Sequence, residues 1–268
     1  MNEKHTFALF YKNLSDCISR NISGHVSGEN SYQIEFIDRD LWQRLTKVLR
    51  LRAGQQLVFF DQHVNVMATV LEKTFTKKEL IALLVESVQP NQALKPNITL
   101  MPCLLKKDAF EDIIYACAQM GVNKIIPILS DKVQRPWGEK KERERLFNIM
   151  VAACEQSKNF FLPEICNTVK FQDIATRTDA SLKIYFDPSG ACFIDLLKKI
   201  QEINNQKSDA QKNNNLDIVL FFGPEGGLTG QEEKQLSDLG FEAYALTPTI
   251  LRAREAVIVG LGGVRSAR

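Results

Sequence analysis

The arrangement of apolar residues after position 97 is the feature that most limits how this chain can fold. Short apolar runs predict strands at 98–105, 123–129, 182–187, 217–222 and 241–246. The first segment between them has the i, i+3, i+4, i+7 spacing of a buried helix face, at Phe110, Ile113, Ile114 and Cys117. Strands that alternate with helices in this way predict an α/β domain with a mainly parallel sheet.

Several helix ends can be placed by their capping residues. Asp108 is a candidate N-cap of the first helix of this domain, which is expected to end at Gly121. Thr229 and Glu232 form a T-x-x-E capping box, so another helix is expected to begin there. Further helices are predicted over 144–158, 193–200 and 251–266.

The first part of the chain has shorter apolar segments and fewer helical patterns. Such segments favour strands of a small barrel or sandwich, and they lie at 32–37, 55–61, 64–73 and 78–89. One helix is predicted over 38–51, with a cap at Asp38 or Asp40 and a buried side formed by Leu41, Leu45, Val48 and Leu49. Two prolines in 90–97 indicate a linker, which divides the chain into domains 1–91 and 92–268.

Composition narrows the class of protein without identifying it. The chain of 268 residues is 44% hydrophobic, and its net charge of +2 is too small to indicate a polyanionic partner. Six cysteines without a C-x-x-C pair predict neither a zinc site nor disulfides, and no metal is expected. No signal-peptide pattern and no membrane-length apolar run is present, so we expect a cytoplasmic protein. The polar stretch 204–215 is expected to be a mobile surface loop.

Three predicted strand ends contain glycine or proline at positions where a ligand could bind. They are YFDPSG at 185–190, FFGPEGG at 221–227 and ALTPTILR at 245–252. Glycine lets a ligand approach the main chain, and proline restricts φ. Each loop alone is more simply explained as an ordinary turn. Three of them at strand ends of one α/β domain favour a binding site.

The common nucleotide and hydrolase motifs are missing from the sequence. There is no G-x-G-x-x-G after a strand, no P-loop and no G-x-S-x-G elbow. The histidines are His5, His25 and His63, which all precede the α/β domain. A dinucleotide site, a P-loop NTPase and a His-based hydrolase are therefore not favoured.

Two motifs together resemble a known family. FFGPEGGLTGQEE at 221–233 and LGFEAYALTPTILRAREA at 239–256 resemble the paired GPEGG and ILR signatures of the RsmE ribosomal RNA methyltransferases, of the SPOUT superfamily. KKDAFEDIIYACAQMGVNKIIP, EQSKNFFLPEI and RLTKVLRLRAGQQLVFFD extend the resemblance over nearly the whole chain. It implies a PUA-like first domain and a homodimeric α/β domain with a C-terminal trefoil knot. It also implies S-adenosylmethionine as cofactor and methylation of a uridine N3 in 16S ribosomal RNA.

The resemblance also implies which residues form the site. A knotted wall of tight loops would present backbone amides and carbonyls to the cofactor, with apolar side chains against the adenine. The implied cofactor residues are Phe222, Gly223, Pro224, Glu225, Gly226, Gly227, Leu246, Thr247, Ile250 and Leu251. Removal of the imide proton leaves an anion on the uracil oxygens, which a permanently cationic arginine can stabilise. Arg252 is the expected catalytic residue.

Basic residues in both domains are candidate RNA contacts. The predicted RNA-binding set in the first domain is Arg44, Lys47, Arg50 and Arg52. A second basic group with interleaved glutamates is formed by Arg135, Lys140, Lys141, Arg143 and Arg145. A charge run is more commonly a solvated face, and this applies to the second group in particular.

The sequence departs from the family pattern at several positions. The departures are Arg44, Ala116, Gln119, Asn159, Thr247, Thr249, Arg254 and Glu255. They concern expected RNA or catalytic contacts more than the glycine loop. Two alternatives to the family activity therefore stay open, a non-enzymatic RNA-binding or ribosome-assembly protein and a methyltransferase with a changed RNA target.

Overall fold

The structure is a computed structural model that describes residues 6–21, 31–130, 138, 140–205 and 216–267. The chain divides into two compact units. The first unit comprises Met1–Gln92 and Glu155–Phe160, and the second comprises Ala93–Cys154 and Phe161–Arg268.

The first unit is built on a five-stranded sheet. Its strands are β1 (Phe7–Phe10), β2 (Tyr32–Ile37), β3 (Gln56–Phe60), β4 (Val64–Val70) and β5 (Leu80–Pro90). Their order is β1-β3-β4-β5-β2, in which β1 runs parallel to β3 and the other neighbours are antiparallel. Short helices join them, α1 (Leu14–Asn21), α2 (Arg39–Gln43) and α3 (Lys73–Thr76). The strands predicted at β2 to β5 are confirmed.

The helix predicted over 38–51 is present but changes its geometry halfway. Asp38 caps α2 by accepting a hydrogen bond from the Leu41 amide at 2.8 Å. A π-helical turn follows at Arg44–Val48. The wider turn rotates later side chains away from the predicted face. Leu41 and Leu45 are buried as expected, whereas the prediction for Val48 was wrong because its side chain is 70% exposed.

The second unit contains a six-stranded parallel sheet, which confirms the predicted α/β class. The strands are β6 (Asn97–Pro102), β7 (Lys124–Ile125), β9 (Glu164–Ile165), β11 (Leu182–Cys192), β12 (Asp217–Phe222) and β13 (Glu242–Ala245). They lie in the order β13-β11-β12-β6-β7-β9, with every pair parallel. The run 123–129 is interrupted, and β8 (Ile128–Leu129) pairs with β10 (Val169–Lys170) instead. Pro127 at the break has no amide hydrogen to continue the ladder.

Five α-helices and a 3-10 helix at Phe171–Arg177 are described between Lys107 and Ser266. The α-helices are α4 (Lys107–Gln119), α5 (Lys140–Ser157), α6 (Phe193–Asn205), α7 (Gly230–Asp238) and α8 (Ala253–Ser266). The capping box at the start of α7 is confirmed, because Thr229 and Glu232 exchange backbone-to-side-chain hydrogen bonds. The predicted cap at Asp108 was wrong, because Lys106 occupies the N-cap position and Asp108 lies in the first turn of α4.

Some further expectations can be compared with the described residues. All six cysteines are free thiols. No helix in the described part of the chain is both long and apolar enough to cross a membrane. Most of the polar stretch 204–215 lies outside the described residues, and so does Arg135.

Candidate functional site

The second unit contains a cavity of about 780 Å³ at the carboxyl-end edge of the sheet, beside β6, β11, β12 and β13. Three loops and the start of α8 form most of its wall. The lining residues are 186–188, 222–225, 227–228, 246–247 and 249–253, together with Lys106 and Ala256. Loops at this edge of a parallel sheet are the usual place for a ligand. The three strand ends noted in the sequence thus meet at one cavity.

The GPEGG segment forms a tight turn after β12. The Gly227 amide donates a hydrogen bond to the carbonyl of Pro224 at 3.0 Å, and Gly227 has a φ of +68°. A residue with a side chain rarely adopts that conformation. The loop then enters the capped start of α7 at Thr229. Its main chain is therefore held at both ends and lines the cavity in a defined conformation.

A bulge in β11 supplies the second part of the wall. Phe186 and Ala191 both pair with Tyr244 of β13, so the intervening residues bulge out of the strand. Asp187 and Pro188 of this bulge line the cavity. The amide and the hydroxyl of Ser189 both donate to Asp187 Oδ1, at 2.8 and 2.5 Å, and hold its carboxylate in place.

Aromatic side chains pack against one another at the wall of the cavity. The rings of Phe186 and Phe222 stack with centroids 4.7 Å apart, and Phe193 packs edge-on against Phe186. Gly260 of α8 lies against the first two rings, where an added Cβ would come within 3.0 Å of Phe222 and 3.1 Å of Phe186. Absence of a side chain at Gly260 lets α8 approach this aromatic layer closely.

Four charged side chains line the cavity. They are two cations, Lys106 and Arg252, and two carboxylates, Asp187 and Glu225. Arg252 is the N-cap residue of α8, and its side chain is exposed. Neither Lys106 nor Arg252 makes a side-chain hydrogen bond or ion pair with any residue that the structure describes. Both cations are thus available to an anionic ligand.

The neighbouring Arg254 has a different environment. Its guanidinium donates to Asp112 Oδ2 of α4 at 2.8 Å and to Glu255 Oε1 at 2.6 Å. The hydrogen bond from Arg254 lowers the pKa of Glu255, and the charge of Arg252 contributes a smaller lowering. Arg254 does not line the cavity. This departure from the family pattern forms a surface ion pair between two helices.

The residues predicted to bind the cofactor lie largely together. All of them except Gly226 line the cavity, as does Arg252. Ile250 is 86% exposed, so it lies at the rim and not beneath a covered ligand. Thr247 and Thr249, two departures from the family pattern, also line the cavity, and the Thr247 hydroxyl donates to the Thr249 carbonyl at 2.6 Å.

Several lining residues were missed in the sequence. Asp187 and Pro188 lie in the YFDPSG loop, whose position at a strand end was the available signal. Lys106 lies in the segment KKDAFEDI, where its spacing indicates only a helix start. Lys106 reaches the cavity wall because of the path of the segment between β6 and α4.

The basic residues predicted to bind RNA in the first unit differ in their surroundings. Arg44 donates to Glu155 Oε2 at 2.5 Å, which balances much of its charge. Lys47 places its amine 5.7 Å from the ring centre of Trp42. Arg50 and Arg52 are exposed, and Arg50 has a φ of +51°. Three exposed cations therefore follow one another closely after α2.

The second basic group is largely paired with polar or acidic residues. Arg145 forms two hydrogen bonds with Glu111, at 2.6 and 2.7 Å. Arg143 donates to Asn167 at 2.6 Å, and Lys140 lies 3.9 Å from Glu144. Such partners reduce the attraction of this surface for a polyanion.

Replacement of Gly190 by alanine should disturb the bulge of β11. A Cβ there would lie 2.5 Å from the Tyr244 nitrogen and 2.7 Å from the Ala243 oxygen, so the backbone of β13 would have to move. We expect the free energy of unfolding to fall by about 1–3 kcal/mol, measured by denaturant titration.

Gly230→Ala is the matched control for this substitution. Gly230 begins α7, and an added Cβ meets nothing within 4 Å. Its stability should change by less than about 0.5 kcal/mol. Equal stabilities of the two variants would contradict the close backbone approach at Gly190.

The chain matches a family model and named relatives over most of its length. The family model for an RNA methyltransferase domain matches residues 92–264. A relative from Bacillus subtilis, named ribosomal RNA small subunit methyltransferase E, is 27% identical over 230 residues, covering 82% of this chain and 85% of its own. A relative of the same name from Synechocystis is 29% identical over 226 residues, covering 83% of this chain and 69% of its own. The resemblance to RsmE proteins predicted from the two motifs is therefore confirmed.

Solved structures show the same fold over the full length. A Legionella pneumophila protein solved in complex with the cofactor S-adenosylmethionine superposes with a TM-score of 0.71, at 22% identity and 98% coverage of both chains. A ribosomal RNA small subunit methyltransferase E from Neisseria gonorrhoeae, bound to S-adenosylmethionine, gives a TM-score of 0.68 at 21% identity and 98% coverage of both chains. The chain thus shares the α/β fold of these proteins.

Proposed function

The chain belongs to the RNA methyltransferase domain family, and we propose that it methylates N3 of a uridine in 16S ribosomal RNA with S-adenosylmethionine as methyl donor. One observation carries the proposal, namely the cavity that the GPEGG and ILR segments line together. The small-subunit ribosomal RNA follows from the name of the relatives, and the cofactor follows from the ligand of the related structures. The uridine N3 target follows from the resemblance of the two motifs to the RsmE family.

The residues of the cavity fit this cofactor. Its volume of about 780 Å³ lies in the range of small-molecule sites, roughly 300–1,000 Å³. The main chain at Gly223 and Gly227 would bind polar groups of the cofactor, while Leu246 and Leu251 would contact the adenine. When bound, S-adenosylmethionine supplies an electrophilic methyl group and positive charge, which suits the carboxylates of Asp187 and Glu225.

Arg252 would act on the uracil. Loss of the N3 proton places negative charge on the two flanking carbonyl oxygens, and a cation beside them lowers the free energy of that anion. An arginine guanidinium carries a permanent positive charge. No acidic residue of the described chain forms an ion pair with Arg252. We assign it to stabilise the uracil anion during methyl transfer.

We also propose the finer architecture of the family for this chain. Residues 1–91 would form a PUA-like RNA-binding domain, and residues 92–268 a SPOUT domain with a trefoil knot near its carboxyl end. Lys47, Arg50 and Arg52, with Arg44 behind them, would contact the RNA backbone. The protein would act in the cytoplasm, where ribosomal subunits are assembled.

A homodimer is part of the same proposal. Two helices of the second unit expose apolar side chains, Ile194 of α6 at 51% and Ile258 and Val259 of α8 at 42% and 40%. Burial of such side chains against a second copy would remove apolar surface from water. The exposed apolar residues of α6 and α8 therefore support the dimeric state expected from the family.

The proposal is tested by methyl transfer to ribosomal particles. Purified protein should transfer a labelled methyl group from S-adenosylmethionine to small subunits from a strain that lacks this protein, but not to large subunits. Mass spectrometry of the nucleosides should then identify 3-methyluridine at one position of 16S RNA. Modification at another base or in another RNA would support a changed target. RNA binding without any methyl transfer would support the non-enzymatic alternative.

A further inference from the structure

We propose that Lys106 binds a backbone phosphate of the RNA strand that delivers the target uridine to the cavity. The inference rests on the proposed function. It assigns a positioning role to a residue that lies far from the two motifs in the sequence. Its basis is the position of Lys106, its charge and the distribution of the other charges around the cavity.

The main chain of Lys106 is firmly held. Leu104 and Leu105 precede it and are 4% and 5% exposed, and its carbonyl accepts a hydrogen bond from the Phe110 amide at 3.0 Å. As the N-cap residue of α4, Lys106 makes no side-chain capping bond. A fixed Cα thus carries a long, exposed side chain that lines the cavity.

Of the four charged side chains that line the cavity, only Lys106 has no charged group of the cofactor or the uracil assigned to it. The two carboxylates, Asp187 and Glu225, match the positive groups that the cofactor brings, its sulfonium and its ammonium. Arg252 matches the uracil anion. Lys106 is then the remaining cation, and it makes no hydrogen bond or ion pair within the described part of the chain. An oxyanion is the complementary ligand.

Two oxyanions could reach this position, the carboxylate of the cofactor and a phosphate of the RNA. The exposure of Lys106 favours the phosphate, because an exposed side chain lies where the strand must pass to place its base in the cavity. A lysine amine on a flexible stem suits a phosphate whose direction varies during entry. Phosphate contacts of this kind orient a nucleic acid without reading its sequence.

The test compares Lys106→Gln with Lys107→Gln. Lys107 is the next residue, is also exposed, and does not line the cavity. For Lys106→Gln we expect kcat/KM for unmodified small subunits to fall by about 10- to 100-fold, the loss of a charge-assisted hydrogen bond. The affinity for S-adenosylmethionine, measured by calorimetry, should stay within about twofold of the wild type. Lys107→Gln should match the wild type in both measurements.

Salt dependence separates a phosphate contact from a structural defect. The slope of log kcat/KM against log salt concentration should become shallower by about 0.7 in Lys106→Gln, because one phosphate contact is lost. Lys106→Arg should keep the wild-type slope. A weaker cofactor affinity with an unchanged slope would assign Lys106 to the cofactor carboxylate and overturn the inference.

Two other outcomes would also overturn it. If wild type and Lys106→Gln transfer methyl groups equally well, the proposed function stands and the phosphate contact is wrong. If folded wild-type protein binds S-adenosylmethionine but methylates no RNA, the proposed function fails, and the inference fails with it.

Discussion

Arg265→Met should lower the free energy of unfolding by roughly 3–5 kcal/mol, although the residue lies outside the cavity. Arg265 is only 7% exposed. It donates to the carbonyls of Pro96, Met120 and Gly121 at 2.8, 2.9 and 2.6 Å. Methionine keeps much of the aliphatic volume but offers no donor, so the three carbonyls lose these charge-assisted bonds.

The position of these bonds explains why their loss should be costly. They join the last turn of α8 to the end of α4 and to the segment before β6. Carbonyls at the end of a helix are not satisfied within it, and a buried carbonyl without a donor carries a desolvation cost. A cation there also interacts favourably with the negative end of the helix dipole.

Denaturant titration of three variants would measure this effect. Arg265→Lys should be intermediate, because an amine cannot reproduce the fork of donors that a guanidinium directs at several carbonyls. Arg177→Met removes an exposed arginine and should change the stability by less than about 0.5 kcal/mol. Similar stabilities for Arg265→Met and Arg177→Met would show that the buried hydrogen bonds contribute little.

Arg252→Ala should lower kcat for methyl transfer by about 100- to 1,000-fold, the loss typical of removing one donor that stabilises a developing anion. The affinity for S-adenosylmethionine should change little, since the proposed role of Arg252 concerns the uracil. Single-turnover transfer of a labelled methyl group measures the first effect, and calorimetry with the cofactor measures the second.

The pH profile would distinguish charge stabilisation from a loss of structure. A cation near N3 lowers the pKa of the uracil imide, so its removal should raise that pKa. The rate of Arg252→Ala should therefore continue to rise at pH values where the wild-type rate has levelled off. A variant that is slow at every pH, with the wild-type profile, would contradict the proposed electrostatic role.

Arg254→Ala is the matched control for this experiment. Arg254 lies two residues further along the chain, in the first turn of α8, and pairs with Asp112 and Glu255 at the surface. Exposed ion pairs contribute little to stability, so methyl transfer should stay within about twofold of the wild type. A loss equal to that of Arg252→Ala would assign the effect to the first turn of α8 as a whole.

Local patterns in the sequence were sufficient for several parts of the fold. The capping box of Thr229 and Glu232 involves residues three positions apart, and the structure contains it as predicted. The burial of Phe110, Ile113, Ile114 and Cys117 likewise follows from the helical repeat over two turns. Interactions within one turn are encoded by neighbouring residues and need no knowledge of the rest of the chain.

The wrong predictions of burial, strand extent and helix start arose where a local sequence pattern was overridden by backbone geometry or by packing. Val48 fits a regular helix, but the π-helical turn rotates it into solvent. Pro127 interrupts an apolar run that otherwise predicts one strand, and the run is divided between two sheets. Asp108 has the right chemistry for a cap, but the N-cap of α4 is Lys106, two residues earlier, directly after buried Leu104 and Leu105.

The sequence was enough for the parallel α/β class, the glycine loop and the resemblance that led to the family. Tertiary structure decided which residues join the glycine loop at the cavity wall. Lys106 follows β6 and Asp187 lies in the bulge of β11, and only the order of β6, β11, β12 and β13 brings them to one edge of the sheet. It also decided the role of Arg265, whose carbonyl partners lie 144–169 positions away along the chain. Contacts between distant segments depend on how the elements pack, and no local spacing of residues records that packing.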